Sequence, residues 1–367
     1  MKLPVPSLRV SAMILLISTL VLVVLGLAMT LRLESDESRG AFISRHTLWA
    51  GVGCLLMVVT AMTDCIGWRR MAWPAFMIGM FLLLLVYVPG IGQSMNGARR
   101  WLRLGPCSIQ PSEVVKLVTV VMVAAWLSAR AITERRRWLV PYVLTMVAVV
   151  LIFGEVDFAG AWILAAVGLR LLVRSRVSWK VMLVLYALPV LSVAMMIWTT
   201  EYGPARLSDK ILRLQGLTPY PHISPFAALT SADWTVRDLG QGSMVRYHFA
   251  GSDRDFLLAR IGGDLGWPGL ICTGVLLIAL IVSGRHIARG AMDRFGGLLG
   301  YGLVGLIEWQ VIWHVGANLG FLSLSTPLPF INDSGTNLCV MLTAVGILLS
   351  IVRTQERDLR SGSRRRH

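Results

Sequence analysis

The chain has 367 residues, 55% hydrophobic and only 15% charged, where a soluble domain carries about a quarter charged residues. The deficit collects in long uncharged runs, which excludes an ordinary soluble domain and points to a polytopic membrane protein. The net charge of +15 would suit a nucleic-acid ligand, but its distribution along the chain does not.

The first uncharged run, 11–31, is too long for the apolar core of a cleavable signal peptide. It also lacks a small-residue cleavage site before Leu33, so a retained first helix is expected. Runs 46–63 and 71–98 follow. Run 114–129 carries only Lys116, run 138–154 is clean, and run 158–173 has Arg170 near one end. Runs 181–200, 265–284, 295–315 (with Glu308) and 334–352 complete the set. The expected fold is an all-α polytopic membrane protein of about ten transmembrane helices, one domain over 1–352. A large extracytoplasmic loop, about 201–264, is expected between spans seven and eight, and 353–367 is read as a disordered basic cytoplasmic tail. Polar segments 96–111, 155–157, 201–264 and 316–335 then fall on one face, where function tends to reside.

Cations gather on the alternate segments: Lys2 and Arg9, Arg69 and Arg70, "TERRRW", Arg174, Arg176 and Lys180, then Arg285, Arg289 and Arg294, and the tail arginines. The short outer loops carry fewer, namely Arg32, Arg39, Arg45, Arg99, Arg100 and Arg103. The positive-inside rule places both termini in the cytoplasm. The basic stretches are anchors on anionic membrane lipids, and no nucleic-acid partner is expected. Of the five cysteines, Cys54, Cys272 and Cys339 fall inside spans, Cys65 at an edge and Cys107 outside. They form neither a disulfide framework nor a CxxC pair, and read as small buried apolar residues.

The stretch 96–118, "NGARRWLRLGPCSIQPSEVVKLV", breaks the apolar pattern. Pro111 suits a first helical turn. Glu113 and Lys116 then lie three apart on one face, close enough to pair. They form either a structural ion pair or the lining of a polar cavity for an anionic ligand. Arg99, Arg100 and Arg103 sit at headgroup level or, with Trp101, meet a lipid-linked phosphate. The residues alone leave these readings open. Glu308 and His314 are ionisable groups at membrane depth, six apart and on different faces; a helix–helix hydrogen bond is expected of each. The run "FGGLLGYGLVG" suits close helix packing, and Trp138, Trp179 and Trp267 suit an aromatic belt.

Asn96-Gly97-Ala98-Arg99-Arg100-Trp101, Gln110-Pro111-Ser112-Glu113 and Lys116 closely resemble the SEDS family (shape, elongation, division and sporulation), which includes RodA, FtsW and SpoVE. The resemblance extends from about 71 to 352. The family's Q-P-D-L-G-T-A turn corresponds to "EVDFAGA", with Asp157 and Ala161 kept. Its glycine-rich outer loop corresponds to "ALTSADWTVRDLGQG", with most glycines lost. Its L-P-E-x-H-T-D-F-I-F-A corresponds to "FAGSDRDFLLA", keeping Asp255-Phe256, and I-G-E-E-L-G to "IGGDLG" with Asp264. Gln310, Gly316, Asn318, Pro327, Pro329, Phe330 and Gly335 keep the remaining motifs.

The resemblance implies a peptidoglycan glycosyltransferase of a bacterial cytoplasmic membrane that polymerises lipid II on the outer face, with a class B penicillin-binding protein as partner. It implies Asp255 as the catalytic carboxylate. Arg99, Arg100, Glu113, Lys116, Asp157 and Arg237 are candidate substrate-binding residues. A divalent cation, Mg²⁺ or Mn²⁺, is allowed, with Asp253 and Asp255 as candidate ligands; Asp253 reads otherwise as an exposed side chain. No organic cofactor is expected. Asp157 supports the site or caps a helix. Two other functions remain: a flippase for the lipid-linked precursor, which would need Glu308 and Lys116 more than Asp255, and a scaffold that would tolerate loss of Asp255.

Overall fold

In a computed structural model, the protein is described over residues 5–30, 36–95, 98–104, 107–129, 138–174, 229, 232, 234, 256–319, 321–322, 326–332 and 334–364. The described elements are α1 (Val5–Thr30), α2 (Asp36–Met62), α3 (Cys65–Val86), β1 (Gly92–Met95), β2 (Ala98–Leu104), β3 (Cys107–Ile109), α4 (Pro111–Ser128), α5 (Leu139–Gly154), α6 (Phe158–Arg174), α7 (Leu257–Gly290), α8 (Arg294–Asn318) and α9 (Gly335–Arg364). All of these helices but α5 and α6 are both long and apolar enough to cross a membrane. The expected span 181–200 lies outside the described residues.

Helices α4, α8 and α9 form the inner layer, with most of their apolar residues buried, while α1, α2, α3 and α7 bury a minority. Helix α9 packs along α2, α1 along α7, α3 against α4 and α5 against α6; α8 touches α4, α6 and α7. The pattern of α1 shows why. Leu8, Leu15, Leu22 and Met29 recur every seventh residue and are buried, while Val10, Met13, Ile17 and Val24 are exposed. One stripe meets protein and the rest is apolar enough for lipid. Small residues set the closest approaches. A Cβ on Gly302 of α8 would lie 2.6 Å from Val120 Cγ1 of α4, and one on Gly346 of α9 would overlap Thr60 Oγ1 of α2. Cys65 and Cys339 are buried and Cys54 half-buried as expected; Cys272 is instead exposed on the outer surface of α7.

The bundle has two polar ends. At one end lie the start of α1, the α2–α3 and α7–α8 turns and the end of α9, tied by Arg9–Glu356 at 2.6 Å and Arg357–Asp64 at 2.7 Å. At the other lie the sheet, the α5–α6 turn and the starts of α4 and α9. There Gln110 N donates to Thr336 Oγ1 at 3.2 Å.

Four expectations are corrected. The stretch 96–111 is not only a loop: β2 pairs antiparallel with both β1 and β3. The span expected over 71–98 therefore stops at Val86. The loop expected to reach 264 gives way at Leu257 to helix, which bends at Gly266 (φ 63°, ψ −159°), a backbone state open to glycine, two residues before Pro268. The tail from 353 is not disordered throughout: α9 continues to Arg364, with Gln355 buried and Glu356 and Arg357 in the ion pairs above.

Candidate functional site

The sheet end carries the polar network. Side chains alternate along β2, so Arg99 and Arg103 are exposed while Arg100 and Leu102 turn inward. Arg100 Nε donates to Glu155 O at 3.1 Å and its Nη2 to Val156 O at 2.5 Å. The guanidinium thus clamps the α5–α6 turn. That turn needs a clamp: Val156 has φ 66°, a conformation costly for a β-branched residue.

The next residue, Asp157, caps a helix, one of the two roles expected of it, and also joins two helices. Its Oδ1 accepts from Gly160 N at 2.9 Å, capping α6. Its Oδ2 accepts from Gln110 Nε2 at 3.2 Å and Ser112 Oγ at 3.3 Å, joining α6 to the start of α4. One turn further, Lys116 Nζ donates to Glu113 Oε1 at 2.9 Å, and Asn337 Nδ2 from α9 donates to Glu113 Oε2 at 2.8 Å. Both side chains of the pair are 3% exposed. Of the two readings of Glu113 and Lys116, the geometry has the internal ion pair, completed by a neutral donor from a third helix.

Glu155 is the residue that sequence reading passed over. It is 2% exposed, and neither carboxyl oxygen has a hydrogen-bond donor among the described residues. Burial pushes its carboxyl up to about 9, Asp157 adds to the shift, and the Arg100 guanidinium opposes it. Burial and the nearby Glu155 also push the Tyr87 hydroxyl up to about 12. The available signal was the residue itself: Glu155 stands where the family pattern has a neutral Gln.

The start of α7 joins the same end. Ala259 N donates to Asn318 Oδ1 at 3.1 Å, Asn318 Nδ2 to His314 O at 2.9 Å, and His314 Nδ1 to Thr326 O at 2.6 Å. Gln310 Nε2 donates to Pro327 O at 2.9 Å. These residues shape the chain entering α9, where buried Phe330 is held at φ 69°. Asp264 is buried beside Arg260 Nε at 3.7 Å. His314 therefore bonds a loop carbonyl and not another helix, a correction to its expected role. Glu308 bridges three helices, pairing with Arg170 of α6 and Arg285 of α7, and does so away from the sheet end.

The structure thus unites Arg100, Glu113, Lys116 and Asp157, and leaves Arg99 exposed. Asp255, Asp253 and Arg237 lie outside the described residues; Phe256, next to Asp255 in the chain, immediately precedes α7. Among the described residues no group of three or more His, Cys, Asp or Glu could hold a metal ion.

Fold and network together define a polytopic helical membrane protein with an interlocked polar end. A family model described as a cell cycle protein, covering FtsW, RodA and SpoVE, matches residues 7–357. The chain belongs to that family. It is 28% identical over 356 residues to stage V sporulation protein E of Bacillus subtilis, covering 93% of this chain and 96% of that one. It is 30% identical over 320 residues to the probable peptidoglycan glycosyltransferase FtsW of Trichlorobacter lovleyi, covering 84% and 83%. Its fold is similar to that of the rod shape determining protein RodA of Thermus thermophilus, with TM-score 0.70 at 22% identity over 92% and 95% of the two chains. It is also similar to a chain of a peptidoglycan synthase complex, with TM-score 0.75 at 24% identity over 92% and 96%.

Proposed function

We propose that the chain is a peptidoglycan glycosyltransferase that polymerises lipid II at the outer face of a bacterial cytoplasmic membrane, with both termini in the cytoplasm. The observation that carries this reading is the interlocked sheet end. Arg100, Gln110, Ser112, Glu113, Lys116, Asp157 and Asn337 hold the starts of α4, α6 and α9 together at the end of the bundle where α7 begins at Leu257. These hydrogen bonds among residues of the family motifs support the reading.

In the proposed reaction the acceptor sugar's 4-hydroxyl attacks the anomeric carbon of a second lipid II. The new bond joins that oxygen to the anomeric carbon. The bond to the pyrophosphate oxygen breaks, undecaprenyl pyrophosphate leaves with the bonding pair, and the hydroxyl proton passes to the Asp255 carboxylate. General-base help of this kind is worth roughly 10²–10⁴-fold. Exposed Arg99, with Arg237, is assigned to the charge growing on the pyrophosphate; Arg100, Glu113, Lys116 and Asp157 hold the frame. A class B penicillin-binding protein is the proposed partner, a reading supported by the resemblance to a chain of a peptidoglycan synthase complex. The resemblance allows Mg²⁺ or Mn²⁺ a share in the same proposal; no step is routed through the ion, and activity before and after chelation reads it.

The test is polymerisation of purified lipid II by the chain with its partner, comparing wild type with Asp255→Ala. Glycan strands from wild type and at least about 100-fold less from the variant are expected. Equal product would remove Asp255 from the chemistry, and no product from either, with an active partner present, would overturn the enzyme reading.

A further inference from the structure

At the end of the bundle opposite the sheet, α6, α7 and α8 enclose a cavity of about 970 Å³ lined by Arg174, Arg289, Arg294, Met292, Asp293 and Tyr301. Arg174, Arg289 and Arg294 are exposed, and among the described residues none of them has an ion-pair partner. Asp293, the one carboxylate among the described lining residues, caps α8, its Oδ2 accepting from Gly296 N at 2.9 Å. Among the described residues, three arginines thus line the cavity against one carboxylate, an excess of positive charge.

A second cavity of about 550 Å³ shares Arg289 and Tyr301 with the first and runs between α6 and α8 past Leu169, Val173, Trp309 and Ile312. Val173 and Ile312 are 57% and 55% exposed, so among the described residues the groove has an apolar, outward-facing rim. On its floor, Glu308 is neutralised by Arg170 and Arg285, and the Arg170 guanidinium lies 4.0 Å from the Tyr301 ring centroid. One carboxylate against two guanidiniums leaves the groove itself net positive, so the two cavities that share Arg289 are cationic together. A cationic chamber continuous with a groove whose rim is apolar and exposed is complementary to an amphiphile with an anionic head. Arginine's planar donor fork suits phosphate oxygens, and basic pockets between helices are known headgroup sites.

We propose that this chamber and groove bind one anionic phospholipid, the phosphate among Arg174, Arg289 and Arg294 and an acyl chain between α6 and α8. This inference stands apart from the polymerisation reading, since it concerns the other end of the bundle.

The experiment uses the full chain in detergent, titrated with dioleoyl phosphatidylglycerol and followed by native mass spectrometry. Expected is saturable retention of one phosphatidylglycerol per chain, at least about 10-fold tighter than dioleoyl phosphatidylcholine. Equal retention of the two lipids by wild type would overturn the site, whether or not any variant folds. Arg174→Gln/Arg289→Gln/Arg294→Gln should weaken binding on the order of 100-fold. Arg69→Gln/Arg70→Gln, exposed at the same end outside the cavity, should leave it unchanged. An equal loss in both variants would show general surface charge and overturn the site. Dihexanoyl phosphatidylglycerol should bind at least about 10-fold more weakly than the dioleoyl lipid. Equal binding of the short-chain lipid, or displacement by millimolar inorganic phosphate, would mean a free-anion site and overturn the lipid. A preference of about 10-fold for undecaprenyl pyrophosphate would overturn the phospholipid and transfer the cavity to the polyprenyl carrier.

Discussion

Glu155 shows how one side chain makes stability depend on pH. Its folded-state value, about 9, stands above the ordinary 4.5 because burial penalises the carboxylate. Below pH 4.5 the group is neutral whether the chain is folded or not. Between 4.5 and about 9 the unfolded chain ionises while the folded one stays protonated, so stability falls as pH rises through that window. Near pH 7.5 the penalty is roughly 2–4 kcal/mol, at about 1.4 kcal/mol per pH unit. Glu155→Gln keeps the shape and removes the ionisation. Its thermal midpoint in detergent should exceed wild type at about pH 8, with the gap closing toward about pH 5. A pH-independent gap would show that Glu155 is not held neutral. At this scale the sequence was half legible. Spacing alone pairs Glu113 with Lys116, because i and i+3 meet on a helix. Asn337, 224 residues away, could not be placed beside Glu113 by any local rule. Arg100 was read toward phosphate, but its partners are two turn carbonyls, and backbone acceptors leave no mark in composition.

Among elements, α4 and α9 depend on the Glu113–Lys116–Asn337 cluster. Lys116→Met would leave a buried carboxylate with one neutral donor, a loss of about 3–5 kcal/mol. The double variant Glu113→Gln/Lys116→Met should regain most of it, since a neutral pair needs no counter-charge. Thermal unfolding reads both; a double variant as unstable as the single one would refute the buried ion pair. Helices α2 and α9 meet where Gly346 lies on Thr60 and on the Met57 carbonyl, with no room for a methyl group between them. Gly346→Ala should cost about 1–3 kcal/mol by overpacking. Gly274→Ala, with nothing within 4 Å, should not destabilise. Similar losses at both positions would deny the close α2–α9 approach. Helix positions were legible because a soluble domain rarely keeps a run of bilayer length free of charge. The sheet was not: Asn96-Gly97 is a hairpin dipeptide, but flanking arginines obscure the apolar alternation that marks strands. The end of α9 was missed because its basic composition resembles a tail, whereas its order comes from partners on α1 and before α3.

For the whole molecule, the two polar ends have different chemistry, and that difference predicts orientation. The α7–α8 turn and both outer helix ends lie with Arg9, Arg69, Arg70, Arg289 and Arg294, mostly exposed. The sheet end exposes fewer cations, Arg99 and Arg103, and holds others inside, as with Lys116 on Glu113 and Arg100 on turn carbonyls. Short arginine-rich segments are retained on the cytoplasmic side. The sequence already carried this asymmetry, because it depends on counts along the chain. It could not reveal that α9 lies beside α2, which is a matter of tertiary packing. The prediction is that Arg103→Cys, exposed on β2, reacts with a membrane-impermeant maleimide in intact cells after outer-membrane permeabilisation. Met292→Cys, exposed in the α7–α8 turn, should react only once the cytoplasmic membrane is opened. Wild type supplies the background from Cys54, Cys65, Cys107, Cys272 and Cys339. The reverse pattern would put the sheet end in the cytoplasm. It would also remove the polymerisation reading, because the polar frame around Glu113 and Asp157 would then face the wrong compartment for glycan assembly.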